Sequence, residues 1–340
     1  MQDIPPPITL LLHRANLIQD WSEAGRTIEI ITAGVSSKGG VFDIEAVHAQ
    51  PEDLSATKRR GPRDIIHNVI VATKATSTVA AISAIKDRLT HESTILFAQN
   101  GMGTAEDVSK IVFPDVATRP RYLACVTSHG VYSQGPFRSV HAGFGSVAIG
   151  NVIQDQQSNE DEDSLHKTGN SAYLVKEIVR APILAAREVS SVVLTQLQLE
   201  KLVVNAMLNP LTAIFNLRNG ELFTHSKIMR LMRLLLTEAS KVIRSLPELQ
   251  DDPATQKRFS ATKLNAVVLD VAEKTAQNTS SMLQDVRAGR QTEIEYINGY
   301  IVRRGVQIGV DCSNNYKLVQ FIKERCTISD EEIKQHFPDI

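Results

Sequence analysis

The sequence predicts an α/β domain with an incomplete parallel sheet, followed by an all-helical domain. In the first half, continuous apolar runs alternate with runs of helical periodicity, and from Ser171 onward the pattern is helical almost throughout. Apolar runs that alternate with helices are typical of parallel strands covered on both faces. We therefore expect one domain over residues 1–190 and a second over residues 191–340.

The elements of the first domain follow in order. Apolar runs predict four strands, at residues 8–13, 65–73, 93–98 and 122–127. Helices are expected at residues 77–89 and 104–112, after the second and third of these strands. The glycine-containing stretch 131–150 alternates in polarity, which predicts an antiparallel hairpin that closes the sheet.

The acidic and polar segment 151–170 has almost nothing to bury, so it is predicted to be a flexible surface insertion. The second domain then begins near residue 190. Helical periodicity predicts its helices at residues 194–216, 227–246, 261–277, 292–306 and 314–325.

Composition narrows the class of protein and its compartment. The 340 residues include 37 basic and 38 acidic side chains, and this balance argues against nucleic acid or an anionic membrane as the main partner. The densest basic run, at 58–63, reads as a surface loop. Three widely spaced cysteines predict neither a disulfide framework nor a metal site, and no apolar run is long enough to cross a bilayer.

The N-terminus lacks the features of a secretory signal and of an arginine-rich transit peptide. We therefore expect a soluble protein in a reducing compartment. The cytoplasm is the default, and the mitochondrion stays open. The long C-terminal helices are compatible with a homodimer, but their pattern does not distinguish an interface from a core.

A polar stripe in an apolar helix is the most informative feature. Lys201, Asn205 and Asn209 are spaced i, i+4 and i+8, so they share one face of a helix whose other residues are mostly apolar. Buried ammonium and amide groups are costly without partners, so the stripe predicts a polar ligand beside it. The alternative is that Lys201 extends to water while Asn209 caps a new helix beginning at Pro210.

Dinucleotide-binding sheets carry a glycine-rich turn between the first strand and the first helix. Gly143 and Gly145 match its spacing but lie in a β-like stretch. Gly101 and Gly103 follow a strand, but Glu106 stands where a third small residue is needed. Neither pair is a convincing fingerprint.

Polar side chains follow three of the predicted strands. Arg14 follows the first, Lys74 the second and Asn100 the third. Because open α/β sheets bind ligands at the carboxyl ends of their strands, these residues are candidate nucleotide contacts. A cation at the position of Arg14 is where an adenosine 2′-phosphate would be met.

Ordered motifs also occur along the chain. The helical half contains K-L-V-V-N, N-P-L-T-A and N-G-E-L within 201–222, N-T-S-S-M-L-Q-D-V-R at 278–287 and T-E-I-E-Y-I-N-G at 292–299. The first half contains Q-N-G at 99–101 and T-S-H-G at 127–130. In these motifs the chain resembles the ketopantoate reductases (2-dehydropantoate 2-reductases) over roughly residues 8 to 325. The resemblance implies a Rossmann-like domain and NADPH-dependent reduction of ketopantoate to (R)-pantoate, on the route to pantothenate and coenzyme A.

The resemblance also implies a role for each candidate site residue. Lys201 would be the general acid that protonates the developing alkoxide, because a lysine among apolar neighbours gives up its proton more readily. Glu293 would orient the ligand or partner Lys201, although a solvated helix carboxylate is the plainer interpretation. The substrate contacts would be Asn205, Asn209, Asn219, Asn278 and Ser281. The NADP(H) contacts would be Arg14, Lys74, Asn100 and the backbone near Val131.

One departure from the family keeps alternatives open. The family begins with a strand and a G-x-G-x-x-G loop, and neither is found in this sequence. The leading hypothesis is an NADP-dependent 2-oxoacid reductase, either for ketopantoate or for a related branched 2-oxoacid. The missing loop is expected to mean either that the chain is an incomplete version of such an active enzyme or that it is a non-catalytic homologue with impaired NADP binding.

Overall fold

A computed structural model describes residues 6–14, 16–47, 64–153, 169–249, 252–338 and 340. The basic run 58–63 and most of the predicted acidic insertion lie outside the described residues. The chain divides into two compact units. Unit 1 comprises Met1–Thr73, Ser77–Ala98 and Glu106–Leu194. Unit 2 comprises Lys74–Thr76, Gln99–Ala105 and Thr195–Ile340.

The main sheet of unit 1 has the strand order β11-β10-β7-β6-β5. Its strands are β5 (Asn68–Val71), β6 (Thr94–Phe97), β7 (Arg121–Thr127), β10 (Val147–Asn151) and β11 (Ala186–Glu188). Strands β5, β6 and β7 are parallel, as the apolar runs predict. Leu96, Leu123 and Ile149 are buried against Leu174 and Val175 of a helix after the sheet. The predicted fold class of this half is therefore confirmed.

The helices in the described part of unit 1 are short. They are α1 (Asn16–Glu23), α2 (Thr78–Ser83), α3 (Thr104–Ile111) and α4 (Gly169–Val179). The prediction of one helix over residues 77–89 is wrong in its extent. The backbone of Ile85 leaves the helical region after α2, and only a 3-10 turn at Lys86–Arg88 follows.

The prediction that a hairpin within 131–150 closes the main sheet is also wrong. Strands β8 (Gly130–Gly135) and β9 (Arg138–Gly143) instead form a four-stranded sheet with β2 (Ile28–Thr32) and β3 (Val35–Gly39), in the order β3-β2-β9-β8. Strand β10 closes the main sheet by pairing antiparallel with β7. The alternation of polarity identified the strands, but their partners come from distant parts of the chain.

The first predicted strand is present as β1 (Ile8–Leu12), which pairs in parallel with β4 (Phe42–Ala46). This pair forms its own two-stranded sheet. Trp21 of α1 is 5% exposed, and its ring packs edge-to-face with the rings of Phe42 and Phe137.

Unit 2 is helical, as predicted. Its helices are α5 (Ser191–Phe215), α6 (Ser226–Arg244), α7 (Pro253–Arg258), α8 (Ala261–Lys274), α9 (Ser281–Arg287), α10 (Asn298–Gln307), α11 (Ser313–Lys323) and α12 (Ile333–His336). Helix α5 runs through the centre of one apolar core, in which Met207, Phe259 and Phe337 are fully buried. Pro210 lies inside α5 and does not end it.

The predicted helix over residues 292–306 is interrupted near its start. A 3-10 turn covers Ile294–Tyr296, and the backbone of Ile297 departs from helical geometry before α10 begins. The interruption makes the carbonyl of Tyr296 available to accept a hydrogen bond from the backbone N–H of Met102, with an N–O distance of 2.8 Å. Glu293 therefore precedes a turn rather than lying within a helix.

Among the described residues, none of the helices combines the length and the apolar character that crossing a membrane requires.

Candidate functional site

The polar stripe of α5 is the accessible line on an otherwise buried stretch of helix. Of residues 201 to 214, only Lys201 and Asn205 are partly exposed, and the other twelve are buried. Asn209, one turn further along the same face, is 9% exposed. Because all three side chains lie in one uninterrupted helix, they face the same direction. The alternative that Asn209 caps a new helix at Pro210 is therefore wrong.

Two short segments of unit 2, Lys74–Thr76 and Gln99–Ala105, carry further polar groups. The segment Gln99–Ala105 lies directly against Tyr296. A Cβ atom on Gly101, which has φ +85°, would be 2.4 Å from the Tyr296 carbonyl oxygen. A Cβ atom on Gly103 would be 2.9 Å from a guanidinium nitrogen of Arg303. These glycines permit close contact between backbones, and that contact fixes the position of Asn100.

Glu293 is partly buried beside this segment. Its Oε1 accepts a hydrogen bond from the backbone N–H of Ala75, with an N–O distance of 2.9 Å. Burial raises the pKa of the Glu293 carboxyl, and the negative charge of Asp285 raises it further. The Ala75 N–H, the positive charge of Lys74 and a hydrogen bond from Asn100 oppose this increase but do not cancel it. Glu293 thus retains a proton to higher pH than an exposed glutamate does.

Lys74, which also belongs to unit 2, lies near Glu293. Its Nζ is 2.5 Å from Oδ2 of Asp285 and donates to the carbonyl oxygen of Gln291 at 3.0 Å. The other carboxylate oxygen of Asp285 accepts from Nε of Arg290 at 2.9 Å. Asp285 is 7% exposed, so two cations share one buried carboxylate.

Sequence reasoning did not identify Asp285 as a site residue. A usable signal was present, because Asp285 follows Ser281 by four positions and thus lies on the same face of α9. Nothing in the local sequence indicates that its partner is Lys74, which lies far away along the chain.

Asn219 carries an unpaired buried oxygen. Its side chain is 7% exposed, and its Nδ2 donates to Oγ1 of Thr275 at 2.9 Å. Thr275 gives its own hydroxyl proton to the carbonyl of Val271, so it can only accept from Asn219. This fixes the orientation of the amide. Its Oδ1 is buried without a hydrogen-bond partner among the described residues, so Asn219 offers a hydrogen-bond acceptor.

The remaining predicted substrate contacts, Asn278 and Ser281, are exposed. The adjacent Ser280 is 6% exposed and has a structural role. Its hydroxyl oxygen caps α9 by accepting from the N–H of Leu283, and it lies 2.6 Å from the hydroxyl oxygen of Thr212. Ser280 therefore fixes the start of α9, on which Ser281 and Asp285 lie.

Two predicted cofactor contacts lie in unit 1. Arg14 is exposed just after β1, and Val131 is 58% exposed on β8. His129, to which no chemistry was assigned, is held structurally. Its Nδ1 accepts from the backbone N–H of Gly145 at 3.1 Å, and its Nε2 is 3.0 Å from the carbonyl oxygen of Leu184.

The glycine pairs do not form a cradle for a pyrophosphate. Gly101 and Gly103 contact Tyr296 and Arg303, and a Cβ atom on Gly145 would meet the backbone of Ser128 at 2.5 Å. Among the described strands and helices, none is joined to the next by a glycine-rich phosphate turn. Among the same residues, no three His, Cys, Asp or Glu side chains lie close enough together to hold a metal ion.

Comparison with known proteins places these features in a family. Residues 7–154 match the family model described as ketopantoate reductase PanE/ApbA, and residues 193–325 match the model of its C-terminal part. The ketoisovalerate reductase BEA2 of Gibberella fujikuroi is 32% identical over 96% of this chain and 78% of its own length. A probable 2-dehydropantoate 2-reductase of Schizosaccharomyces pombe is 31% identical over 96% of this chain and 90% of its own.

Solved structures share the fold. A D-mandelate dehydrogenase, solved with NADH and anilino(oxo)acetate, matches with a TM-score of 0.70 at 20% identity. The match covers 96% of this chain and 91% of that one.

Proposed function

The chain belongs to the ketopantoate reductase family, and from that premise we propose that it reduces a 2-oxoacid, most specifically 2-dehydropantoate to (R)-pantoate, with NADPH. This reaction would serve the synthesis of pantothenate and coenzyme A. The observation that carries the proposal is the accessibility of Lys201 and Asn205 on an otherwise buried stretch of α5. We assign the cofactor to residues 1–190 and the substrate to residues 191–340.

Lys201 is the general acid in this proposal. Reduction of a keto group leaves negative charge on its oxygen, and an ammonium group beside that oxygen both stabilises the charge and donates a proton. The buried apolar residues beside Lys201 lower the local dielectric constant, which strengthens this interaction. Asn205 and Asn209 would contact the substrate along the same face, while Asn278 and Ser281 would hold its carboxylate. Glu293 would orient the ligand from its partly buried position.

The dinucleotide, when bound, supplies the hydride. We propose that Lys74 and Asn100 contact its nicotinamide ribose side, that Arg14 meets the 2′-phosphate, and that the backbone near Val131 approaches it. Both Lys74 and Asn100 interact with Glu293, and this supports the assignments of Lys74 and Asn100. The free cysteines fit a reducing compartment, and we propose the cytoplasm.

The unpaired oxygen of Asn219 favours a hydroxylated substrate. 2-Dehydropantoate carries a terminal hydroxyl group that 2-ketoisovalerate lacks. A buried acceptor without a partner is costly, and a substrate hydroxyl could donate to it. Sites built to bind a substrate hydroxyl reject analogues without one, because the polar group of the protein is then left unpaired. The similarity to a ketoisovalerate reductase keeps 2-ketoisovalerate as the second substrate candidate.

Steady-state oxidation of NADPH with each 2-oxoacid tests the proposal. We expect kcat/KM for 2-dehydropantoate to exceed that for 2-ketoisovalerate by at least about tenfold. Asn219→Leu should reduce the first value and leave the second nearly unchanged. Thr275→Ser, which keeps the hydroxyl that orients the Asn219 amide, is the matched control. Equal losses for both substrates would show that Asn219 does not contact the hydroxyl.

A second candidate function belongs to another class, a binding protein without reductase activity. The lack of a glycine-rich phosphate turn among the described residues favours it. Fluorescence titration with NADPH separates the two candidates. Saturable binding supports the reductase, and an absence of binding at millimolar NADPH would leave a non-catalytic homologue as the better description of this chain.

A further inference from the structure

Asp285 occupies an unusual position for a charged residue. It is 7% exposed, and each of its carboxylate oxygens contacts a cation. Oδ2 lies 2.5 Å from Lys74 Nζ, and Oδ1 lies 2.9 Å from Arg290 Nε. A carboxylate buried this deeply persists only with such partners. Removing its charge would therefore alter how both cations are held.

Arg290 does not depend on the ion pair alone. Its backbone N–H donates to the Asp285 carbonyl oxygen at 2.8 Å, so the main chain already holds it near α9. Lys74 lies on a different segment of unit 2 and reaches α9 only through its side chain. Its ammonium contacts the Asp285 carboxylate and the Gln291 carbonyl. Of these two groups, only the Asp285 carboxylate is negatively charged.

The residue after Lys74 is held by a second carboxylate. Ala75 is fully buried, and its backbone N–H donates to Glu293. Two consecutive residues are thus attached to two acidic side chains, Lys74 to Asp285 and Ala75 to Glu293. The position of Lys74 relative to Glu293 follows from this double attachment.

We propose that Asp285 is a positioning residue, which acts through Lys74 by holding the Lys74–Ala75 segment against Glu293. The inference rests on the proposed function for its catalytic consequence but not for its geometry. The groups that face Glu293 are the charges of Lys74 and Asp285, the Ala75 N–H and the Asn100 side chain. Asp285 thereby influences both the cation and the acid of the site without contacting the substrate itself.

Hydrogen exchange in the protein without ligands tests this geometry directly. In Asp285→Asn, the Ala75 amide should exchange at least about tenfold faster, because the attachment of its neighbour is weakened. Lys74→Ala should produce the same increase, and the double variant should exchange no faster than either single variant. Peptides from α6 should keep their wild-type exchange rates.

Two controls isolate the effect. Asp270→Asn removes an exposed Asp–Lys pair of similar length, 2.6 Å, and should leave Ala75 unchanged. Arg290→Gln removes the other partner of Asp285 and should have a small effect. Wild-type exchange at Ala75 in Asp285→Asn would overturn the inference. So would additive effects in the double variant, or faster exchange throughout α6, which would indicate a general structural role.

Turnover supplies the second measurement. Asp285→Asn should lower kcat/KM for the 2-oxoacid by no more than Lys74→Ala does, and the double variant should lower it no further than Lys74→Ala alone. If the exchange results are as expected while the wild-type protein oxidises no NADPH with any 2-oxoacid, the proposed function fails and the positioning role stands. Additive losses in turnover would overturn the inference even if the protein is a reductase.

Discussion

The side-chain amide of Asn298 donates a 3.0 Å hydrogen bond to the backbone carbonyl of Ala206. Ala206 lies four residues before Pro210 within α5, and proline has no N–H to complete the helical bond to that carbonyl. Asn298 is fully buried and supplies the missing donor from another helix. A proline can therefore lie inside the helix that carries Lys201, Asn205 and Asn209.

Asn298→Ala is expected to destabilise unit 2 by about 1–3 kcal/mol, because the Ala206 carbonyl would remain buried without a donor. Urea denaturation followed by helical circular dichroism measures the change. Pro210→Ala restores an N–H to the helix, so Asn298→Ala should cost less in that background. The remaining cost would reflect the second bond of Asn298, to Asn315 at 3.1 Å. An equal cost in both backgrounds would contradict this account of Asn298.

Gly101→Ala should displace the segment that carries Asn100. The added Cβ would lie 2.4 Å from the Tyr296 carbonyl oxygen, in addition to the strain of a left-handed backbone. We expect kcat/KM to fall by at least about tenfold, as for a misplaced positioning group. Gly309→Ala is the matched control, since Gly309 also has a positive φ, +68°, but no atom within 4 Å of the added Cβ. Similar losses in both variants would attribute the effect to backbone strain alone.

Lys201→Ala is expected to lower kcat by about 10²–10⁴-fold, the usual contribution of a general acid. The dissociation constant for NADPH should change by less than about twofold, because the acid acts mainly in the transition state. Lys201→Arg keeps the charge but does not release a proton readily, so it should remain nearly as slow as alanine. Equal losses of turnover and of NADPH affinity in Lys201→Ala would indicate a structural role instead.

The raised pKa of Glu293 should make the stability of the protein depend on pH. Because burial raises its pKa in the folded state, the folded protein binds more protons than the unfolded chain between the two pKa values. The stability that the proton on Glu293 contributes is fully present below the pKa of Glu293 in the unfolded chain. This stability is lost as the pH rises through the raised pKa of Glu293 in the folded protein. The free energy of unfolding therefore falls between the two pKa values.

Glu293→Gln, which cannot ionise, should remove this part of the pH dependence. The melting temperature of Glu293→Gln should rise relative to wild type as the pH increases above the ordinary glutamate pKa, with about 1.4 kcal/mol of stability for each unit of pKa shift. Glu332→Gln is a suitable control, because hydrogen bonds from Ser329 lower the pKa of Glu332 and its dependence has the opposite sign. A melting-temperature difference between Glu293→Gln and wild type that does not vary with pH would contradict the prediction.

Periodicity in the sequence predicted most of the helices of unit 2 and the parallel strands of unit 1, because burial on one face or on both faces leaves a local pattern. It also predicted the stripe on α5, since i, i+4 and i+8 spacing specifies one face of any helix. The break before α10 escaped prediction. The break allows the contact between Tyr296 and the segment of Gly101, and local spacing does not record that contact.

The sequence alone determined which residue types were available for the site and placed the polar stripe on one helical face. Tertiary structure decided which distant groups meet: Ala75 with Glu293 across 218 positions, Lys74 with Asp285, and Asn298 with Ala206 across 92. Helical periodicity is a property of neighbours in the chain, so it can be read locally. The partner of a buried charge or carbonyl is fixed only when the packed chain excludes water and requires each polar group to find its complement.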